Sequence, residues 1–481
     1  MDINFFKSTG LFAIAGAYRN MSIVLLMPVW TAYFNAAEIG LYAIVMTYGL
    51  VFARVGSFGL SAALSRYYID HESDIKRFSD FFISTFYSLV AVTMLIGSAL
   101  YVCHPYLEAL LLEKENAELW KYVCILYITT LIISMYVAMC VVETNAKGAF
   151  KVTVIPQTIG LIVGLVMVIL YSEGLGGRLN GLIIGEAIAA SLCLYLLFKK
   201  YGKGSFYIDD VKNAWVFGAP LMIHTVSQLL LQSGDRIILL KYSSAADVGR
   251  YSIATSIIAG MLILQGAANQ TWAPKFLRLL KKRDEEPENT SFYDSAFQRS
   301  FDTWMVGFSV IGIILILSGK HVIALMTSGE GFIDAAHFMT PLAIGCLFTG
   351  AYFYGINIVM YTKKNKLIPL ITGGAGVLNI ILNLYLIPHY GPYAAAWTTL
   401  ICNGLLFTAV HYYSRKISTV SYHYFTMITL LVIVSFISLL NGYLESRSGY
   451  EILFIKLFIG IISVLVGLVY YRMKIKKLSY R

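Results

Sequence analysis

Long apolar runs alternate with short polar turns along the whole chain, with the period of a protein that crosses a membrane repeatedly. At about 20 residues per crossing, the pattern predicts fourteen transmembrane helices, over roughly 11–34, 38–65, 78–103, 119–143, 153–172, 179–199, 213–241, 248–275, 297–318, 333–361, 367–388, 391–414, 422–443 and 450–471. Little chain remains for a soluble domain. The longest predicted connections run from His104 to Glu118 and from Phe276 to Ala296. One stretch departs from plain hydrophobicity. Between Trp215 and Phe276 the apolar pattern carries His224, Gln228, Gln232, Asp235 and Arg236 on the way across, and Gln265, Asn269 and Gln270 on the way back. Lipid cannot satisfy such groups, so this hairpin is expected to turn them toward other helices or toward water.

The same hairpin occurs earlier. Residues 35–44 read NAAEIGLYAI and residues 244–253 read SAADVGRYSI, so Ala36, Ala37, Gly40, Tyr42 and Ile44 recur at a constant offset as Ala245, Ala246, Gly249, Tyr251 and Ile253. At that offset Arg66 and Tyr67 correspond to Lys275 and Phe276. This is an internal duplication. It spans six helices, an even number, so both copies cross the membrane in the same sense, related by an axis along the membrane normal. The expected organisation is therefore all-α and membrane-integral: a six-helix lobe over 1–212, a second over 213–416, and two additional helices over 417–481.

Composition agrees and charge adds a direction. Hydrophobic residues make up 58% and charged residues 13%, against about a quarter charged in soluble proteins, and the mean hydropathy is +0.70. The net charge of +10 could suggest nucleic acid, but the basic residues sit in clusters between spans, and no nucleic-acid partner is expected. Loops on the side of the N-terminus hold 26 of the 37 basic residues. Eight fall on the opposite side: Lys114, Lys121, Arg178, Lys241, Arg250, Lys320, Arg447 and Lys456. By the positive-inside rule both termini are cytoplasmic. Arg19, Arg54 and Arg236 complete the count and lie inside spans. The first apolar run is too long for a cleaved signal peptide and is expected to stay as the first span. The six cysteines fall in or beside apolar stretches without ligand spacing, and neither a metal nor a cofactor is implied.

Further residues carry a family resemblance. Gly218 and Pro220, then Asp235-Arg236, Val248-Gly249-Arg250-Tyr251-Ser252 and Asn269-Gln270-Thr271-Trp272-Ala273-Pro274-Lys275-Phe276, resemble the Wzx-type flippases of the multidrug/oligosaccharidyl-lipid/polysaccharide exporter superfamily. A second signature, from Leu378-Asn379 through Asn383 and Pro388 to Ala394-Ala395-Ala396-Trp397-Thr398-Thr399, looks like the eleventh and twelfth helices of that family. The resemblance implies a carrier, not an enzyme. Such a carrier moves undecaprenyl-diphosphate-linked oligosaccharide (O-antigen, capsule or exopolysaccharide units) from the inner to the outer leaflet by alternating access, coupled to an ion gradient or the membrane potential. Membrane lipids, a polysaccharide polymerase and a chain-length regulator are its expected partners.

A diphosphate calls for cations that keep their charge in a half-dry site, which favours arginine. Arg19 and Arg54 are the leading candidates, with Tyr18, His224, Gln228 and Arg236 as polar or stacking partners. Arg19 aligns by the duplication with Gln228, so cations on one lobe would face neutral groups on the other. Candidates for ion coupling are Asp235, Glu186 and Glu143, because a buried carboxylate can take up protons at accessible pH. Pro28 and Pro220, in the first helix of each lobe, are hinge candidates. Each residue also has a structural reading: snorkelling for the arginines, a locked turn for Asp235, a satisfied core bond for the acids, and a static kink for the prolines. The asparagines Asn269, Asn379, Asn383 and Asn403 read as helix glue. A drug or peptidoglycan-precursor exporter of the same superfamily is the nearest alternative, and Arg19 and Arg54 argue against an apolar drug cavity. A membrane polymerase or ligase would need a large external loop, which is lacking, and no nucleotide-binding motif is present.

Overall fold

The computed structural model describes residues 11, 15–16, 18, 21–103, 106, 118–364, 367–420, 423–445, 456 and 459–460. Its helices are α1 (Met27–Tyr33), α2 (Ala36–Gly56), α3 (Leu60–Asp70), α4 (Ile75–Val102), α5 (Trp120–Val142), α6 (Ala146–Ile169), α7 (Gly174–Tyr201) and α8 (Ile208–Tyr242). They continue with α9 (Ala245–Glu285), α10 (Thr290–Met326), α11 (Ala336–Tyr361), α12 (Ile368–Tyr390), α13 (Ala394–Ile417) and α14 (Phe425–Glu445). Twelve helical segments among the described residues are long and apolar enough to cross a membrane. They coincide one for one with the second to the thirteenth of the predicted spans. The fourteenth falls largely outside the described residues, and the described part of the first is helical from Met21 to Tyr33 with an interruption at Leu26.

Two departures from the apolar pattern have physical causes. The connection expected at 276–296 is mostly helix: α9 continues to Glu285 and α10 begins at Thr290. Polar contacts hold this extension. Arg283 Nε donates to Asp294 Oδ1 at 2.7 Å and its Nη1 to Thr419 Oγ1 at 3.0 Å, while Tyr361 donates to Asp284 at 2.7 Å. The second predicted span, 38–65, is in fact two helices, α2 and α3. They are separated at Phe58 and Gly59, whose φ values are 44° and 69°. A Cβ at Gly59 would lie 2.2 Å from the Gly218 carbonyl oxygen, so this break brings backbone against backbone where only glycine fits.

The chain divides into two compact units, Met1–Gly249 and Arg250–Arg481. In the first, α6 and α7 pack through glycines on both helices. A Cβ at Gly181 would lie 2.4 Å from Gly164 Cα, and one at Gly185 would lie 2.7 Å from the Pro156 carbonyl oxygen. Small residues spaced by four let membrane helices approach to backbone contact. Helix α8 packs on α2, α3 and α4, which carries the unit to Gly249. The segment leading into α8 is strapped along α4. Asp80 and Ser84 accept from the backbone N–H groups of Ser205 (2.6 Å) and Tyr207 (2.8 Å). Ser88 accepts from Trp215 Nε1 (2.6 Å), and Arg77 forms a two-point pair with Asp210.

In the second unit α13 packs on α11 and α12, and α10 on α11 and α14. Side-chain amides bond within and between these helices. Asn357 donates to Asn269 (3.0 Å), Asn383 to Asn379 (3.0 Å), and Thr398 to Asn383 (2.5 Å). Gln265 Nε2 donates to the Cys346 carbonyl (3.1 Å), so this hairpin polar group is core glue as well.

Candidate functional site

The two copies of the repeated motif meet. In the first unit the opening turn of α2 lies against the opening turn of α9, and the contact is reciprocal. A Cβ at Gly40 would lie 1.8 Å from the Ala245 carbonyl oxygen, and one at Gly249 would lie 1.8 Å from the Ala36 carbonyl oxygen. Residue i of one copy touches j of the other and j touches i, the signature of a local two-fold axis. Acids secure both turns. Asn35 accepts from the Glu38 N–H (3.0 Å) while Glu38 accepts from the Asn35 N–H (2.9 Å), a full capping box. Ser243 and Ser244 both donate to Asp247 Oδ2, at 2.5 and 2.7 Å.

Of the expected substrate residues, Arg54 lies in the last turn of α2 with an exposed side chain. Gln228 is exposed on α8, and Arg236 is half-buried on the same helix. Tyr18 is half-buried, and its hydroxyl donates to Thr158 Oγ1 at 2.6 Å, because Thr158 spends its own proton on the Val154 carbonyl. It thus ties the N-terminal segment to α6. Arg19 and the side chain of His224 lie outside the described residues.

The three acids stand in different settings. Asp235 is buried in α8, and its Oδ1 accepts the Arg236 N–H at 2.9 Å. Glu143 caps the end of α5, paired with Lys200 Nζ and accepting from the Tyr201 hydroxyl, both at 2.5 Å. Glu186 is buried on α7 and lines a small cavity with Gln157, Trp30, Tyr42 and Arg178. Pro28 stands in the first turn of α1, just past a helix interruption at Leu26, whereas α8 runs unbroken through Pro220.

Arg178 is the residue that the hydrophobic pattern misplaces. It was expected in an external loop, but α7 begins at Gly174, five residues before the predicted span, and buries Arg178 in its second turn. A lone charge at the edge of an apolar window reads as loop. The signal against that reading was the spacing Gly177, Gly181, Gly185, which extends one packing face through the arginine's turn. Another feature emerges on α9, where Ala267, Thr271, Lys275, Arg278 and Lys282 are all exposed. Their spacing of three and four puts them on one helix face.

The fold is that of a multi-pass membrane protein. The full chain is similar to a lipid II flippase MurJ in an inward closed conformation, with a TM-score of 0.70 over 98% of this chain and 100% of the other, at 18% identity. It is also similar to an inward-facing multidrug resistance transporter of the MATE family (TM-score 0.63, 14% identity, 85% and 98% covered). The chain belongs to the polysaccharide biosynthesis protein family, whose profile matches residues 5–280. A protein of the Lsg locus of Haemophilus influenzae is 25% identical over 175 residues, 36% of this chain and 39% of that protein. The match thus spans about two fifths of that relative's length.

Proposed function

We propose that the protein is a flippase for undecaprenyl-diphosphate-linked oligosaccharide, carrying O-antigen, capsule or exopolysaccharide units from the inner to the outer leaflet of the bacterial inner membrane. Both termini are then cytoplasmic, and a polymerase and a chain-length regulator receive the product. The observation that carries this reading is Arg54. It is an exposed guanidinium on a membrane-spanning helix, in a chain of the polysaccharide family with a flippase's fold along its whole length. A guanidinium on a membrane-spanning helix is expensive unless it reaches the interface, water or an anionic cargo, and its fork suits a diphosphate. Arg19, Tyr18, His224, Gln228 and Arg236 complete the proposed path. Glu186 and Asp235, both buried, are the proposed coupling acids; Glu143, already paired with Lys200, is the weaker third.

The test is surface-glycan assembly in a strain lacking its own flippase, at matched membrane levels. Wild type restores glycan, Arg54→Ala loses most of it, and Arg54→Lys retains a part. Full activity of the alanine variant removes Arg54 from the path. The likeness to a lipid II flippase supports a second reading, export of a lipid-linked peptidoglycan precursor. Rescue of growth after depletion of the host's lipid II flippase, without restored surface glycan, would favour it.

A further inference from the structure

The most anomalous charge in the described structure is Arg178. Its side chain is packed among aromatic rings, with Cζ 3.7 Å from the Tyr42 ring centroid, 4.4 Å from Trp30 and 5.6 Å from Phe34. The residue is 7% exposed. Three ring faces compensate part of a cation's lost hydration. They do not complete it: Nη1 is buried without a hydrogen-bond acceptor. No carboxylate among the described residues forms an ion pair with this guanidinium. Glu186 lines the same cavity but stands eight residues on, roughly 12 Å along the helix axis. Position worsens the imbalance. Arg178 lies in the second turn of α7, near the end where the helix dipole is positive. A buried charge left this way is strongly destabilising.

The open side of the guanidinium is a cavity of about 50 Å³ between α1, α2, α6 and α7. On its far wall Gln157 Oε1 also lacks a partner. One uncompensated donor bearing charge and one uncompensated neutral acceptor therefore face the same small space. Water alone would satisfy both hydrogen-bonding groups and leave the charge. An anion with a water neutralises the charge and satisfies both, and 50 Å³ holds a monatomic ion and a water or two. It does not hold a sugar diphosphate.

We infer that this cavity is a binding site for a small monovalent anion of the halide class, held by Arg178 Nη1. The anion acts as the arginine's missing counter-ion. It joins α1 and α2, which supply the aromatic cage, to α6 and α7, which supply Gln157 and Arg178. Its occupancy governs how firmly these helices hold together, and the site shares the Glu186 wall with the proposed coupling acids.

Trp30 supplies the measurement, since it is 3% exposed and lines the cavity. The full-length protein in detergent is titrated with iodide at constant ionic strength, and the difference between wild type and Trp30→Phe isolates the emission of Trp30 among the six tryptophans. The expected result is saturable quenching that chloride reverses and gluconate does not, lost in Arg178→Gln. A linear, unsaturable signal, or one unchanged in Arg178→Gln, overturns the site. Inorganic pyrophosphate displacing iodide as well as chloride does would overturn the halide assignment. Should Arg178→Gln fail to fold, the wild type alone decides by its melting temperature. That temperature rises with chloride over gluconate if the folded state binds the anion, and equal melting in the two salts refutes the inference.

Discussion

Gly40→Ala is the sharpest test of the reciprocal contact between the two repeat motifs, because two effects of known size oppose each other. In a helix free of neighbours, replacing glycine by alanine stabilises by about 0.5–1 kcal/mol. Here the new Cβ would stand 1.8 Å from the Ala245 carbonyl oxygen, whereas ordinary contact begins at 3.4 Å, so the two backbones must part by 3.4 − 1.8 = 1.6 Å. A carbonyl oxygen in a helix cannot swing aside as a side-chain tip can. Overpacking of this kind typically costs about 1–3 kcal/mol, which exceeds the propensity gain. The sign of the net effect therefore reports whether the motifs touch. In terms of populations, 1–3 kcal/mol moves a two-state element by roughly 5- to 150-fold, and the contacting state is the one that loses.

The assay has two readouts on the purified protein. Thermal stability of Gly40→Ala should fall below wild type, and the labelling rate of Ala245→Cys by a hydrophilic maleimide should rise when Gly40→Ala is added. By the two-fold relation, Gly249→Ala should reproduce the loss of stability through the Ala36 carbonyl. A Gly40→Ala protein that melts higher than wild type with unchanged labelling would refute the contact and leave only helix propensity.

The α6–α7 contact offers an internal control. Gly181→Ala places a Cβ 2.4 Å from Gly164 Cα and should destabilise by about 1–3 kcal/mol, whereas Gly176→Ala on the same helix meets nothing within 4 Å and should be neutral or slightly stabilising, both read from thermal melts. Arg77→Ala leaves the Asp210 carboxylate buried without its two-point partner and should cost about 1–3 kcal/mol, while Arg77→Ala with Asp210→Ala should cost less than the two singly measured losses combined. At the tip of the α9–α10 hairpin, the Tyr293 hydroxyl and the Asn289 amide donate to Glu286 at 2.7 and 3.0 Å and hold its carboxyl below the usual range. A carboxyl with a lowered folded pKa adds stability above its ordinary pKa and loses it as pH falls through the lowered one. The stability difference between wild type and Tyr293→Phe should therefore be present at pH 7 and vanish on acidification, and a difference that persists in acid would assign it to packing.

What could be read from the chain and what could not divide along one physical line. Bilayer-length apolar runs report a helix through its lipid-facing and core-facing side chains alike, so twelve described spans fall where the pattern puts them. The duplication was legible because small residues were kept where two backbones approach: Gly40 and Gly249 recur in sequence for the same steric reason that they touch in the fold. The pattern fails where a helix outlasts its hydrophobicity. From Lys275 onward α9 carries charged residues on its exposed face, so hydropathy ends while the hydrogen-bonded helix continues to Glu285. It fails again where a charge is buried. Arg178 counts as a loop cation in any scheme that weighs residues singly, since what keeps it inside is the joint presence of Tyr42, Trp30 and Phe34 from a distant part of the chain. Arg54 shows the opposite case, a charge that one-residue reasoning placed inside a span and that the fold leaves exposed on its helix. The two arginines therefore call for different partners. The buried one, caged by rings beside a cavity of about 50 Å³, is the proposed contact of a small ion; the exposed one is the proposed contact of the diphosphate. Substituting each tests a different ligand, and neither result can stand in for the other.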